Sequence, residues 1–77
     1  MDPYNREARR RITQMPAMAE YRILMQRAKL TPVERAVCDL KYLDGQNLAY
    51  IGDKLGYSES GIKRIHRRAL QKISKLI

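Results

Sequence analysis

Asn47-Leu48-Ala49-Tyr50-Ile51-Gly52-Asp53-Lys54-Leu55-Gly56-Tyr57-Ser58 runs directly into Glu59-Ser60-Gly61-Ile62-Lys63-Arg64-Ile65-His66-Arg67-Arg68-Ala69-Leu70-Gln71-Lys72-Ile73-Ser74-Lys75-Leu76. The spacing in this stretch predicts two helices crossing steeply over a tight turn at Leu55-Gly56-Tyr57-Ser58. Such a crossing needs a small residue where the helices touch, a residue tolerant of positive φ in the turn, and apolar residues plugging the gap from both sides. Gly52 fills the first slot and Gly56 the second. Ile51 and Leu55 face Ile62 and Ile65 across the gap, with Tyr57 expected as a wedge between them. The arrangement reads as a helix-turn-helix.

The second helix should start at Ser58, whose hydroxyl can accept from an unpaired amide of the first turn, with Glu59 complementing the positive helix end. It is expected to run from Glu59 to about Leu76. Ile62, Ile65, Ala69, Ile73 and Leu76 recur at steps of three and four and form one apolar stripe. Lys63, Arg64, Arg67, Arg68, Lys72 and Lys75 take the other faces. A cationic face alone is usually a solvated surface. Joined to a small-residue crossing, a glycine turn and a serine cap, it is the pattern of a DNA-reading helix.

Working outward, Leu30-Thr31-Pro32-Val33-Glu34 is a helix start: Thr31 caps, Pro32 takes the first position, and Glu34 reaches back to close a capping box. That helix continues with Val33, Val37, Cys38 and Leu40 inward. It stops at Asp44-Gly45, with Gly45 left-handed. Asn47 caps the first helix of the motif, whose apolar side is Leu48, Ile51 and Leu55. Upstream, Pro16 opens a helix to about Lys29 with Met18, Tyr21, Leu24, Met25 and Ala28 on one side. That stripe is either core or a self-association face, since methionine adapts to such contacts. Before it, Arg9, Arg10 and Arg11 sit in a basic arm or short helix with almost no apolar stripe.

The expected fold is all-α: a small helical bundle with a helix-turn-helix, four helices at about 16–29, 32–43, 47–55 and 59–76, after a basic N-terminal arm or short helix. Residues 1–29 read as arm and amphipathic helix with a possible role in dimerisation, and 30–77 as the DNA-binding unit. Seventy-seven residues suit one small domain. The net charge of +8 is placed unevenly: residues 1–30 carry seven basic and three acidic side chains, 31–57 three and four, and 58–77 six and one. Basic ends around a near-neutral middle suit a polyanion such as nucleic-acid phosphate.

Other classes fit poorly. One cysteine, Cys38, excludes an internal disulfide and reads as a buried thiol. His66 has no second ligand at metal spacing and is expected beside the DNA or on the solvent side of its helix, so no metal or cofactor is expected. The eight carboxylates are scattered, which gives no catalytic residues. No apolar run reaches membrane length, no signal-peptide core follows Met1, and the chain has neither Trp nor Phe for a membrane-surface helix. A cytoplasmic, nucleoid-associated protein is expected.

Taken in order, Leu30-Thr31-Pro32-Val33-Glu34-Arg35, Tyr42-Leu43-Asp44-Gly45, Ile51-Gly52-Asp53-Lys54-Leu55-Gly56-Tyr57-Ser58, Ile62-Lys63-Arg64-Ile65 and Arg68-Ala69-Leu70-Gln71-Lys72-Ile73 follow one pattern. In this run of roughly 47 residues the chain resembles region 4, the promoter-reading C-terminal domain of bacterial sigma factors. The resemblance implies that Glu59, Ser60 and Arg64 occupy base-reading positions in the major groove, flanked by Lys63 and Arg67. It also implies that the amides of Asn47 and Leu48 meet phosphate, together with Lys41. Ser58 and Arg68 complete the expected phosphate contacts. The chemistry agrees: helix N-termini present free amides to phosphate, Arg64 can pair with a guanine edge, and Glu59 can accept from a cytosine amine.

The sequence departs from the family at the reading positions. Glu59 stands where a basic residue is usual, Ser60 where a glutamate is common, and Gly61 lies early in the helix at a cost of about 1 kcal/mol against alanine. The family's usual hexamer is therefore not the expected target. The length leaves no room for the regions that hold the polymerase core, so the expectation is a free-standing regulator of the kind found in phages and mobile elements. Double-stranded DNA is the expected partner, in a specific complex and with a homodimer as one form. A protein-binding module that engages RNA polymerase subunits, or inhibits another nucleic-acid machine, is the alternative.

Overall fold

The computed structural model of the chain describes Arg10, Ile12 and residues 18–76. Four helical elements follow in order: α1 (Met18–Arg27), α2 (Pro32–Cys38, continued without a break by a π-helical turn, Asp39–Leu43), α3 (Leu48–Leu55) and α4 (Glu59–Ser74). No strand occurs among the described residues.

Each boundary has a local cause. α1 ends where Lys29 takes φ 54°, a left-handed conformation that costs a non-glycine residue about 1–2 kcal/mol. The chain then extends into Thr31, whose hydroxyl accepts from the Glu34 amide at 3.3 Å while Glu34 Oε1 accepts from the Thr31 amide at 2.9 Å. With Pro32 in the first turn, the capping box is complete. Gly45, at φ 71°, turns the chain after α2, and Asn47 Oδ1 accepts from the Tyr50 amide at 2.8 Å to start α3.

The expected spans 32–43, 47–55 and 59–76 need small corrections. The last turn and a half of the second helix is π-helical, Asn47 is a cap rather than a helical residue, and α4 closes at Ser74. Residues 16 and 17 of the expected 16–29 helix lie outside the described residues, as do Arg9 and Arg11 of the basic arm.

Two apolar clusters share α4. Its first half contributes Ile62 to a cluster with Val37 and Ile51, against which Leu40, Leu48, Leu55 and Ile65 pack. Its second half contributes Ala69, Leu70 and Ile73 to a cluster with Cys38 of α2, Tyr21, Met25 and Ala28 of α1 and its following turn, and Ile12. Fully burying the Val, Leu, Ile and Met side chains among these contributes about 1.5–3 kcal/mol each. The α1 stripe is therefore core at Tyr21, Met25 and Ala28, whereas Met18, expected on the same side, is 53% exposed. Ile12 is buried in the basic segment that looked stripe-free, and Arg10 beside it is helical and exposed.

A polar clasp holds α1 to the π turn. Tyr21 donates its hydroxyl hydrogen to Asp39 Oδ1 at 2.8 Å, and Arg35 Nε donates to the same oxygen at 3.0 Å with its guanidinium 6.0 Å from the Tyr21 ring centre. Burial and this acceptor push the Tyr21 phenol above its ordinary pKa.

Candidate nucleic-acid interface

The turn between α3 and α4 is fixed by three residues. Gly56 has φ 81°, which glycine adopts without penalty, and both its amide and that of Tyr57 donate to the Gly52 carbonyl, the latter at 2.8 Å. A side chain on Gly52 would put Cβ 2.7 Å from the Tyr57 carbonyl oxygen and 3.1 Å from Ile62 Cγ1, so the helices cross directly over that residue. Ser58 Oγ then accepts from the Gly61 amide at 3.1 Å and starts α4.

Beyond this start α4 is sharply two-sided. Ile62, His66, Ala69, Leu70 and Ile73 are buried, while Glu59, Ser60, Lys63, Arg64, Arg67, Arg68, Gln71 and Lys75 are exposed. All five residues expected to read bases thus lie on the exposed side of one helix. Glu59 and Lys63 meet at 3.7 Å with both side chains more than half exposed, a pair too solvated to hold either in place. Among the described residues no ion pair joins Arg64, Arg67 or Arg68 to a carboxylate. Their guanidinium groups stand along just over one turn of helix, with no acceptor among the described residues drawing them down.

The residues expected at phosphate are more dispersed. Asn47 and Leu48 begin α3, Ser58 caps α4, and Arg68 lies on the exposed side of α4. Lys41 stands apart, half-buried on the π turn of α2.

Three expectations fail here. His66 is 6% exposed and points inward: its Nε2 is 2.7 Å from the Tyr42 hydroxyl, and the rings lie 5.7 Å apart. Its position four residues after Ile62 and three before Ala69 puts it on the buried arc, and that spacing, rather than its polarity, was the usable signal. Leu76 is 38% exposed, and Leu70 takes the inward role instead, because α1 covers a second flank of α4. Tyr57 is no wedge: it is 45% exposed, and Val37, Ile51 and Ile62 fill the crossing without it.

A glycine-turned crossing followed by a capped helix with a buried arc and a cationic exposed arc defines a helix-turn-helix of the DNA-binding class. The family model of Sigma-70, region 4 matches residues 28–75, more than half of the chain, and the chain belongs to that family. Its domains bind DNA and RNA polymerase, and it is not an enzyme family. The match takes in α2, α3 and α4 and leaves α1 outside. Comparison with curated proteins and with solved structures finds no match. Among the described residues no helix is long and apolar enough to cross a membrane.

Proposed function

We propose that this chain is a sequence-specific DNA-binding regulator of transcription, acting at the nucleoid, with α4 entering the major groove. The observation that carries this is the continuous exposed arc of α4, Glu59 to Arg68, opposite an arc that is wholly committed to the core. Arg64 and Lys63 donate to guanine edges, Glu59 accepts from a cytosine amine once it leaves Lys63, and Ser60 serves either kind of base. Arg67 extends the reading surface. Asn47, Leu48 and Ser58 bring amide-rich helix starts to phosphate, and Lys41 and Arg68 add charge there.

A second reading, engagement of RNA polymerase, has support from the family, whose domains bind both partners. As for self-association, α1 keeps Met18 and Ile23 exposed, and a homodimer would cover one or other of them.

Selection of bound duplexes from a random pool at physiological salt tests the proposal. An enriched motif is the expected result: a single asymmetric site denotes a monomer, a palindrome a symmetric dimer. Absence of any motif, with binding that collapses as salt rises, overturns sequence-specific reading and leaves phosphate attraction alone.

A further inference from the structure

We propose that Tyr57 is a specificity-determining residue of this surface, packing its ring on the methyl group of a thymine in the major groove; the inference rests on the DNA-reading function proposed above. Tyr57 leaves the left-handed Gly56 with its main chain pinned on both sides. Its amide donates to the Gly52 carbonyl at 2.8 Å, and its own carbonyl oxygen packs on Gly52, 2.7 Å from where a Cβ would stand. The side chain lies against the start of α4. Tyr57 Cβ and Cδ1 both lie 3.9 Å from the place a Gly61 Cβ would occupy, so the ring borders the first turn of α4.

Nothing in the core requires this ring. Val37, Ile51 and Ile62 are each 0% exposed and close the crossing, while Tyr57 keeps 45% of its surface in solvent.

The chemistry of the surroundings selects the ligand. Ser58, Ser60 and Gly61 are small and uncharged, and the two serine hydroxyls are 3.4 Å apart. The charges at this end, Glu59 and Lys63, meet at 3.7 Å with both side chains more than half exposed, so each stays available to its own base edge. While the serine hydroxyls and helix-start amides remain free for phosphate, the exposed face of the Tyr57 ring, beside these small residues, offers an apolar surface that suits an apolar group on a base edge. In the major groove only thymine presents one, its C5 methyl. The contact uses the ring and does not need the phenol hydroxyl.

The test uses the duplex selected above, with each thymine replaced singly by deoxyuridine, which lacks only the methyl. Wild-type protein and Tyr57→Phe should bind one of the deoxyuridine duplexes about fourfold more weakly than the parent, the worth of one buried methyl. Tyr57→Ala should bind that duplex and the parent equally. A tyrosine that only supports the turn would, when removed, weaken both duplexes by the same factor and keep the fourfold ratio, and that result overturns the inference. So does a selected site in which no thymine responds to deoxyuridine with the wild-type protein. Either outcome leaves the proposed function standing, whereas a pool that yields no motif ends both.

Discussion

Lys72 Nζ stands 2.7 Å from Glu34 Oε1, the same oxygen that accepts the Thr31 amide, so one buried carboxylate joins the start of α2 to the last turns of α4. Burial alone would raise the Glu34 pKa. The hydrogen bonds from Lys72 and Thr31 and the charge of Lys72 outweigh it and hold the carboxyl below its ordinary value of 4.5.

Removing that carboxylate should destabilise the fold from both ends. Glu34→Ala loses half the capping box and a charged hydrogen bond, for about 2–3 kcal/mol. Lys72→Met should cost about 1 kcal/mol, because the lysine is partly solvated and Thr31 still serves the acid. With a folded-state pKa below the unfolded one, the stabilisation is complete above pH 4.5 and is lost as pH falls through the folded value. Urea midpoints at pH 7 and pH 3 should therefore differ more for wild type than for Glu34→Ala.

The crossing at Gly52 admits no side chain. Gly52→Ala sets a methyl 2.7 Å from a main-chain oxygen that cannot swing away, and the overpacking should cost about 1–3 kcal/mol despite alanine's better helix propensity. Gly56→Ala meets open space but strains a φ of 81°, for about 1–2 kcal/mol. Thermal unfolding should rank both below wild type by several degrees.

Cys38 is 0% exposed, and burial, together with the neighbouring Asp39 and Glu34 charges, pushes its thiol up to about 12. A thiol that is both covered and protonated should not react with a disulfide reagent at pH 8 while the protein is folded. Labelling should proceed at the unfolding rate and accelerate with urea; rapid labelling of native protein would place Cys38 outside the core.

Base-reading and phosphate residues should separate in binding assays. Arg64→Ala should cost about 1–3 kcal/mol on the selected site and relax one base pair, while Lys41→Ala should weaken all duplexes alike and lower the salt slope by about 1. The half-buried position of Lys41 on the π turn makes it the more exacting of the two.

How far these features were legible depended on whether the signal was local. Thr31, Glu34, Asn47 and Ser58 cap as their residue types dictate, and Gly45 and Gly56 take positive φ where a turn demands it. What escaped depends on neighbours far along the chain. His66 is inside because Tyr42 offers it a partner, and Leu70 is inside because α1 lies against it. Ile12 is core although its sequence neighbours Arg10 and Arg11 are basic, since a single apolar side chain is enough to join the cluster of Tyr21 and Met25. No residue in Asp39–Leu43 announces a π turn. Tyr57 was misplaced because an aromatic beside a crossing suggests a plug, and three aliphatic residues already supplied one.

The central claim is that the exposed arc of α4 lies in the major groove, and methylation interference measures it most directly. Guanines of the selected site would be methylated at N7, an atom of the major-groove edge, and bound and unbound duplexes compared. Loss of binding at particular guanines, one of which ceases to matter for Arg64→Ala, is the predicted result. Binding indifferent to N7 methylation, or blocked only by minor-groove methylation at adenine N3, would contradict the account.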